Sequence, residues 1–398
     1  MEEYWLRIWN FVLSNKKRQT SLLLFQPINI YQLSNIFSIK NQLIMNIKRT
    51  MQCLTFAGVI SVSSLFAAEV KTDSVAPLSI SGQVDAFFRS SSSNKLTDAK
   101  TSYTNQQGFG LGMANLAISK DNGKIGFVAD LMFGMRAEGT NYNYSGSPAY
   151  LKQLFVTYKP VDKLKFTLGN FMTYVGYELV EASNNLNYSM SYNYTNGPFF
   201  HTGLKADIAL TDKLSAMVGV FSQTDTKGKL GLLNPSLDSK KKMIGGQLGY
   251  VDGAFKIYLN GLGGKTYDST STTTLDLTTS YQATEKLGLG FNLLSYSQTK
   301  EKRTGKFLGA AFYANAALAS NFVLALRGEL FQDKDGLKYA ATDNTITAVT
   351  LSGNIKIDAF TLIPEIRFDS ANKEIWTDNK GAAKKGETSF ILAAVYKF

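Results

Sequence analysis

The sequence predicts an all-β fold, a transmembrane antiparallel up-and-down β-barrel of about sixteen strands. Three observations predict it. Side chains alternate apolar and polar along segment after segment, the connections alternate between tight and long, and the last segment ends on an aromatic residue. Composition agrees: hydrophobic residues make up 44% and aromatics 12% of 398 residues, with Gly common at 33 copies and Pro scarce at 7. The mean hydropathy is only −0.09, which suits strands that are apolar on one side only.

The chain divides into four parts. Residues 1–44 read as an over-extended start, with translation beginning at Met45, and residues 45–68 read as a secretory signal. Lys48 and Arg49 give the signal its positive end, 53–66 its apolar run and Ala67-Ala68 its cleavage residues. That run is too short and too rich in Ser, Thr and Gly for a spanning helix. A short periplasmic lead over 69–77 precedes the barrel, 78–398. Cys53, the single cysteine, falls inside the signal, so the mature chain is expected to hold no disulfide and no thiolate metal site. Of the formal charge of +11, residues 1–68 carry seven Lys/Arg against two Asp/Glu, leaving +6 for the rest. Lys240, Lys241 and Lys242 form its one tight cluster, and no basic stripe interleaved with aromatics points to nucleic acid. After residue 68 no apolar run approaches the ~20 residues of a membrane helix, so any crossing is made by strands.

The first strand sets Leu78, Ile80, Val84, Ala86 and Phe88 against Ser79, Ser81, Gln83, Asp85 and Arg89. A period of two over this length is a strand, long enough to cross a bilayer at a tilt. Lys124–Ala137 sets Ile125, Phe127, Ala129, Leu131, Phe133 and Met135 against Lys124, Asp130 and Arg136. Asn321–Leu330 sets Phe322, Leu324, Leu326 and Leu330 against Arg327 and Glu329, and Ala359–Asp369 sets Phe360, Leu362, Ile366 and Phe368 against Thr361, Glu365 and Arg367. Pro364 interrupts that last strand, where a bulge or local unpairing is expected because proline cannot donate to the ladder.

Tight turns fall at Asp121-Asn-Gly123, Pro160–Lys163, Thr211–Lys213, Val251–Gly253, Thr284–Lys286, Ala319–Asn321 and near Asp358. Longer polar stretches lie near 90–107, 138–148, 177–197, 224–241, 264–271, 299–306, 332–344 and 370–386. Seven turns and eight loops join sixteen strands, with both termini on the short-turn side. Short turns at one end and long loops at the other are the habit of outer-membrane barrels, and an even count closes the sheet. At the C-terminus Phe390, Leu392, Ala394, Tyr396 and Phe398 alternate strictly. Such an ending resembles the signal by which outer-membrane barrels are recognised for assembly.

The succession Gly176-Tyr-Glu178, Asn187-Tyr-Ser189 and Gly197-Pro-Phe-Phe-His-Thr-Gly203 resembles the OmpL-like β-barrel porins, and the likeness extends from Ile80 to Phe398. Met190 stands where relatives carry a basic residue, so no charge is carried over at that point. The resemblance implies a channel-forming outer-membrane protein and supplies no catalytic residues.

If the apolar faces meet lipid, then Gln83, Asp85, Arg89, Lys124, Asp130, Arg136, Lys165, Lys205, Arg327, Glu329, Glu365, Arg367 and Lys397 point into the lumen. Sixteen strands enclose a space wide enough for water, where charges of both signs set an ion preference. The Asn- and Tyr-rich loop from about 178 to 197 follows the fifth strand, the place where trimeric porins fold a loop inward. Glu178, Glu181, Asn187 and Tyr188 are its candidate constriction residues. His201 is the only histidine, which excludes a histidine metal cluster, and Asp333 with Asp335 lacks the spacing of a calcium loop. His201 with Ser189 or Ser191 would serve a hydrolase, but no spacing singles out a triad, and a hydrogen-bonded histidine at a strand start is favoured. Gly108, Gly110 and Gly112 alternate along a strand, which fits close approach of side chains better than a phosphate loop.

The expected function is passive diffusion of small hydrophilic solutes or ions through an outer-membrane channel, without catalysis or cofactor. The alternative is a binding or adhesion protein whose loops contact a surface while the barrel anchors them. A barrel enzyme working through His201 is the third reading. Expected partners are outer-membrane lipid, the barrel-assembly machinery acting on the strand ending at Phe398, and the solutes. Sixteen strands are compatible with a homo-oligomer.

Overall fold

The computed structural model describes residues 77–93, 100–104, 106–140, 150–226, 240–339, 341–378 and 380–398. The expected extension, the signal and nearly all of the lead lie outside the described residues. The first strands are β1 (Ser79–Ser91), β2 (Gly108–Asp121), β3 (Ile125–Phe133), β4 (Leu151–Val161) and β5 (Leu164–Met172). Then come β6 (Phe200–Ala209), β7 (Leu214–Phe221), β8 (Met243–Asp252), β9 (Phe255–Lys265) and β10 (Ser271–Gln282). The third group is β11 (Leu287–Lys300), β12 (Arg303–Ala319), β13 (Phe322–Asp335), β14 (Thr342–Ile357) and β15 (Phe360–Ala371). Two residue pairs, β16 (Trp376–Thr377) and β17 (Ala383–Lys384), make a separate small ladder before β18 (Gly386–Lys397).

From β1 to β15 each strand pairs with the next in sequence, and β18 lies between β15 and β1. The result is a closed sixteen-stranded barrel, antiparallel throughout. Closure runs from Gln83 opposite Lys397 to Ser91 opposite Ser389, and Gly82 and Phe398 exchange both backbone hydrogen bonds at 3.0 Å. The terminal aromatic residue is thus the last rung of the seam.

The polarity of a soluble sheet is inverted. Val84, Ile125, Leu154, Val218, Leu259, Leu326, Val349 and Phe390 are all exposed on the outer face, while carboxylates, amides and guanidinium groups are buried on the inner one. Water inside and lipid outside demand this arrangement.

All seven expected short turns occur. Three departures from expectation have local causes. The strand expected over Lys124–Ala137 stops at Phe133, because Gly134 takes φ +97° and the chain turns into a one-turn helix α1 (Met135–Thr140). Phe133 and Met135 keep apolar parity across the break, so periodicity alone hides it. The long loop expected near 299–306 is a two-residue hairpin in which Glu301 and Lys302 take φ +48° and +71°. The stretch expected near 264–271 shrinks to Thr266–Thr270 between β9 and β10. Pro364 behaves as expected in one of the two ways. It makes no bulge and pairs with Leu392 on β18, but the β14 ladder is locally unpaired there, skipping from Ser352–Glu365 to Ile355–Leu362 in unchanged register.

Candidate functional site

Between β5 and β6 the chain runs through residues 173–199, and its contacts locate it. Tyr174 donates its hydroxyl to Gly261 O on β9 at 2.8 Å, and Gly176 N donates to Asp276 on β10 at 3.1 Å. Asn193 donates to Asn292 on β11 at 2.8 Å and to Gly309 O on β12 at 3.2 Å. Asn187 reaches Ser352 on β14 at 2.7 Å, and Tyr188 reaches Asp85 on β1 at 2.6 Å. One segment that touches inner faces on opposite sides of a closed barrel lies within it.

A buried loop must answer its own peptide groups, since water is not there to do so. Here the barrel wall answers them. Glu365 accepts from Tyr188 N at 2.7 Å and Ser189 N at 3.0 Å, and Glu329 accepts from Tyr192 N at 2.7 Å. Gln83 accepts from Ser183 N at 3.0 Å. Arg136 donates to Val180 O and Tyr188 O at 3.1 and 3.0 Å, Arg327 to Ser189 O at 2.6 Å, and Arg367 to Met190 O at 3.0 Å. Within the segment a short helix α2 (Tyr192–Asn196) is capped by Ser191, whose hydroxyl accepts from Tyr194 N at 3.0 Å.

The charges are paired as well as bonded. Arg327, wholly buried, lies 2.7 Å from Glu178 and 2.8 Å from Glu329, and Arg367 lies 3.1 Å from Glu329 and 2.9 Å from Asp369. Lys152 bridges Asp130 and Glu181. Arg136 stands 3.6 Å from Asp85 and stacks over the rings of Tyr103 and Tyr188.

Of the residues chosen from sequence, Gln83, Asp85, Arg136, Arg327, Glu329, Glu365 and Arg367 meet the segment directly, as do its own Glu178, Glu181, Asn187 and Tyr188. Arg136 arrives from α1 and not from a strand. Asp130 acts through Lys152, and Arg89 instead pairs with Glu387 at 2.7 Å. Lys124 and Lys165 are exposed. Half-buried Lys205 bonds Asp207 at 2.8 Å. Exposed Lys397 only brushes Asn184 at 3.4 Å. The sequence reading missed Lys152, Asp276, Asn292 and Asp369. Asp369 and Asp276 share inward parity with their neighbours and were findable. Lys152 was not: it has the parity of exposed Leu154 and Val156, and a register shift at the β3–β4 edge turns it inward.

His201, buried at the start of β6, hydrogen-bonds Thr173 at 2.9 Å among the rings of Phe171, Tyr174 and Phe221. Asp333 accepts from the backbone of Leu337, Lys338 and Tyr339, and Asp335 from Lys306 N. No cluster of metal-ligating side chains occurs among the described residues. Gly112 leaves room for the Asp85–Tyr188 pair, since a Cβ there would fall on both.

Cavities lie on either side of the segment. One of about 120 Å³ is lined by Tyr177, Glu178, Asn184–Asn187, Tyr313 and Asn315. A larger one, about 390 Å³, is bounded by Thr195–Phe199 and the long-loop ends of β8 to β12.

Solved outer-membrane proteins share this fold at low identity. In-vitro folded OmpT of Vibrio cholerae, in its trimer form, is 12% identical with a TM-score of 0.55, covering 81% of this chain and 100% of that one. The anion-selective porin from Comamonas acidovorans is 12% identical with a TM-score of 0.56, covering 81% and 100%. The outer-membrane channel DcaP of Acinetobacter baumannii is 10% identical with a TM-score of 0.54, covering 83% and 100%. No curated protein sequence matches the chain. The model of the family described as "Putative beta-barrel porin-2, OmpL-like" matches residues 77–398, and the chain belongs to that family.

Proposed function

We propose that the protein is an outer-membrane porin, a passive channel for small hydrophilic solutes or ions in which residues 173–199 form the constriction. The observation that carries this reading is a polar segment held across a sixteen-stranded barrel by charged wall residues, with a cavity on each side. The charges that parity turns inward take two roles in it. Arg136, Arg327, Arg367, Glu329 and Glu365 fix the constriction, whereas Lys124, Lys165, Lys205 and Lys397 face the aqueous vestibule on the short-turn side. Translation starts at Met45, cleavage follows Ala68, and the strand ending at Phe398 is the handle for assembly. Homo-oligomerisation is part of the proposal, in keeping with the trimer form of the Vibrio cholerae protein.

The test is planar-bilayer conductance of protein extracted from outer membranes. Discrete ohmic steps that scale with salt are expected. A folded, heat-modifiable protein silent in the bilayer would overturn the channel and leave the loops as an adhesion surface on a plugged anchor. N-terminal sequencing of the same preparation reads the cleavage point.

A further inference from the structure

We propose that the cleft on the long-loop side of the constriction binds a neutral saccharide, a proposal that rests on the channel reading and names its solute class. The cavity of about 390 Å³ adjoins a second of about 490 Å³, the two sharing Gln223, Thr266, Thr272 and Tyr296. Together they run from the Asp268–Lys300 ion pair, 2.9 Å apart, down to Thr195–Phe199 of the constriction.

The two walls differ in chemistry. On one, β10 turns Thr272 and Thr274 inward at successive alternate positions, continuing the line of Thr270. Thr272 is 6% exposed, and its hydroxyl has no hydrogen-bond partner among the described residues. A buried hydroxyl left unpaired costs free energy that a ligand hydroxyl would recover. On the other wall the rings of Tyr296 and Phe307 stack with centroids 5.0 Å apart, and Phe331 lies 5.1 Å beyond Phe307. The Lys338 ammonium stands 5.6 and 5.5 Å from the first two centroids and lines the same cavity.

A pyranose carries hydroxyls around its rim and C–H groups on its faces. The threonine ladder, with Asn196 at the floor and Gln223 where the two cavities meet, faces the rim, and the negative faces of the rings meet the C–H groups. Charge argues for a neutral ligand. Lys338 and Asp225 both line the cleft and offset one another, and the ion pair at the mouth is already matched.

The test uses protein from outer membranes in planar bilayers, with glucose, maltose and gluconate as probes on the long-loop side. Glucose and maltose are expected to block the ion current saturably. Thr272→Val/Thr274→Val, which keeps side-chain shape and removes two hydroxyls, should weaken the block about tenfold or more. Tyr296→Leu should weaken it independently, with heat-modifiability verifying that each variant is folded. A non-saturating effect, block undiminished in the threonine variant, or block by gluconate alone would each overturn the proposal. If the protein proves silent, the channel reading fails. Calorimetric titration of detergent-solubilised protein with glucose then decides the site: heat abolished by the threonine pair supports it, and no heat refutes it.

Discussion

Arg327→Met separates an inner segment that is latched from one that merely fills space. Arg327 is fully buried on β13 and reaches Glu178 and Ser189 O of the inner segment, together with Glu329 on its own strand. Methionine fills much of the same volume but leaves the Glu178 carboxylate without its cation and Ser189 O without its donor, while Glu329 keeps Arg367. Removing one partner of a buried ion pair costs about 3–5 kcal/mol. The sixteen-strand ladder does not depend on that contact, so the loss falls on the docking of the segment. At about 1.4 kcal/mol per decade, its docked state weakens roughly a hundred- to several-thousand-fold. Single-channel recording should then show larger and noisier steps, and chymotrypsin should cut at Tyr188, Tyr192 or Tyr194 while the barrel stays heat-modifiable. Adding Glu178→Gln to Arg327→Met should restore quiet current, because the orphaned charge is gone. Unchanged conductance and unchanged proteolysis in Arg327→Met would refute the latch.

Burial pushes the Asp225 carboxyl up to about 6, although it accepts from Phe199 N and Phe200 N. A folded value above the ordinary 3.8 makes its contribution full below about 4 and lost as pH rises through about 6. Amide protection at Phe199 and Phe200 should therefore fall across that window, and Asp225→Asn should remove the dependence. Gly112→Leu forces a side chain onto the Asp85–Tyr188 pair, an overpacking that costs about 1–3 kcal/mol; the urea midpoint should drop with the slope unchanged. Deleting Phe398 removes the Gly82–Phe398 rung at the seam. Its amount in isolated outer membranes should fall several-fold at equal synthesis, and equal amounts would sink the proposed role in assembly.

The barrel was legible because it rests on a period of two and on turn chemistry, both local in sequence. Asp121-Asn-Gly123 and Val251-Asp-Gly253 announce their hairpins, and Phe390 to Phe398 announce the closing strand. The inner segment was legible in position only. Its order in the chain marks residues 178–197, but nothing local says that Glu178 meets Arg327, 149 residues away, or that Lys152 meets Glu181. The helix carrying Arg136 escaped for a different reason: a left-handed glycine, Gly134, resets the chain without disturbing the apolar rhythm. Inward charges also read as solvated when only their face is known, whereas many are committed to one another along the wall or to the inner segment.

The manner of anchoring sets what can change. Glu365, Glu329, Gln83, Arg136, Arg327 and Arg367 seize peptide groups of residues 180–192, and side-chain bonds such as Tyr188 to Asp85 and Lys152 to Glu181 are added to that grip at particular positions. Where the hold is through the peptide group alone, as at Val180 and Ser183, the mount is indifferent to the side chain it carries. Side chains of the inner segment that make no contact with the wall are exchangeable while its path stays fixed, a replaceable fitting on a permanent bracket.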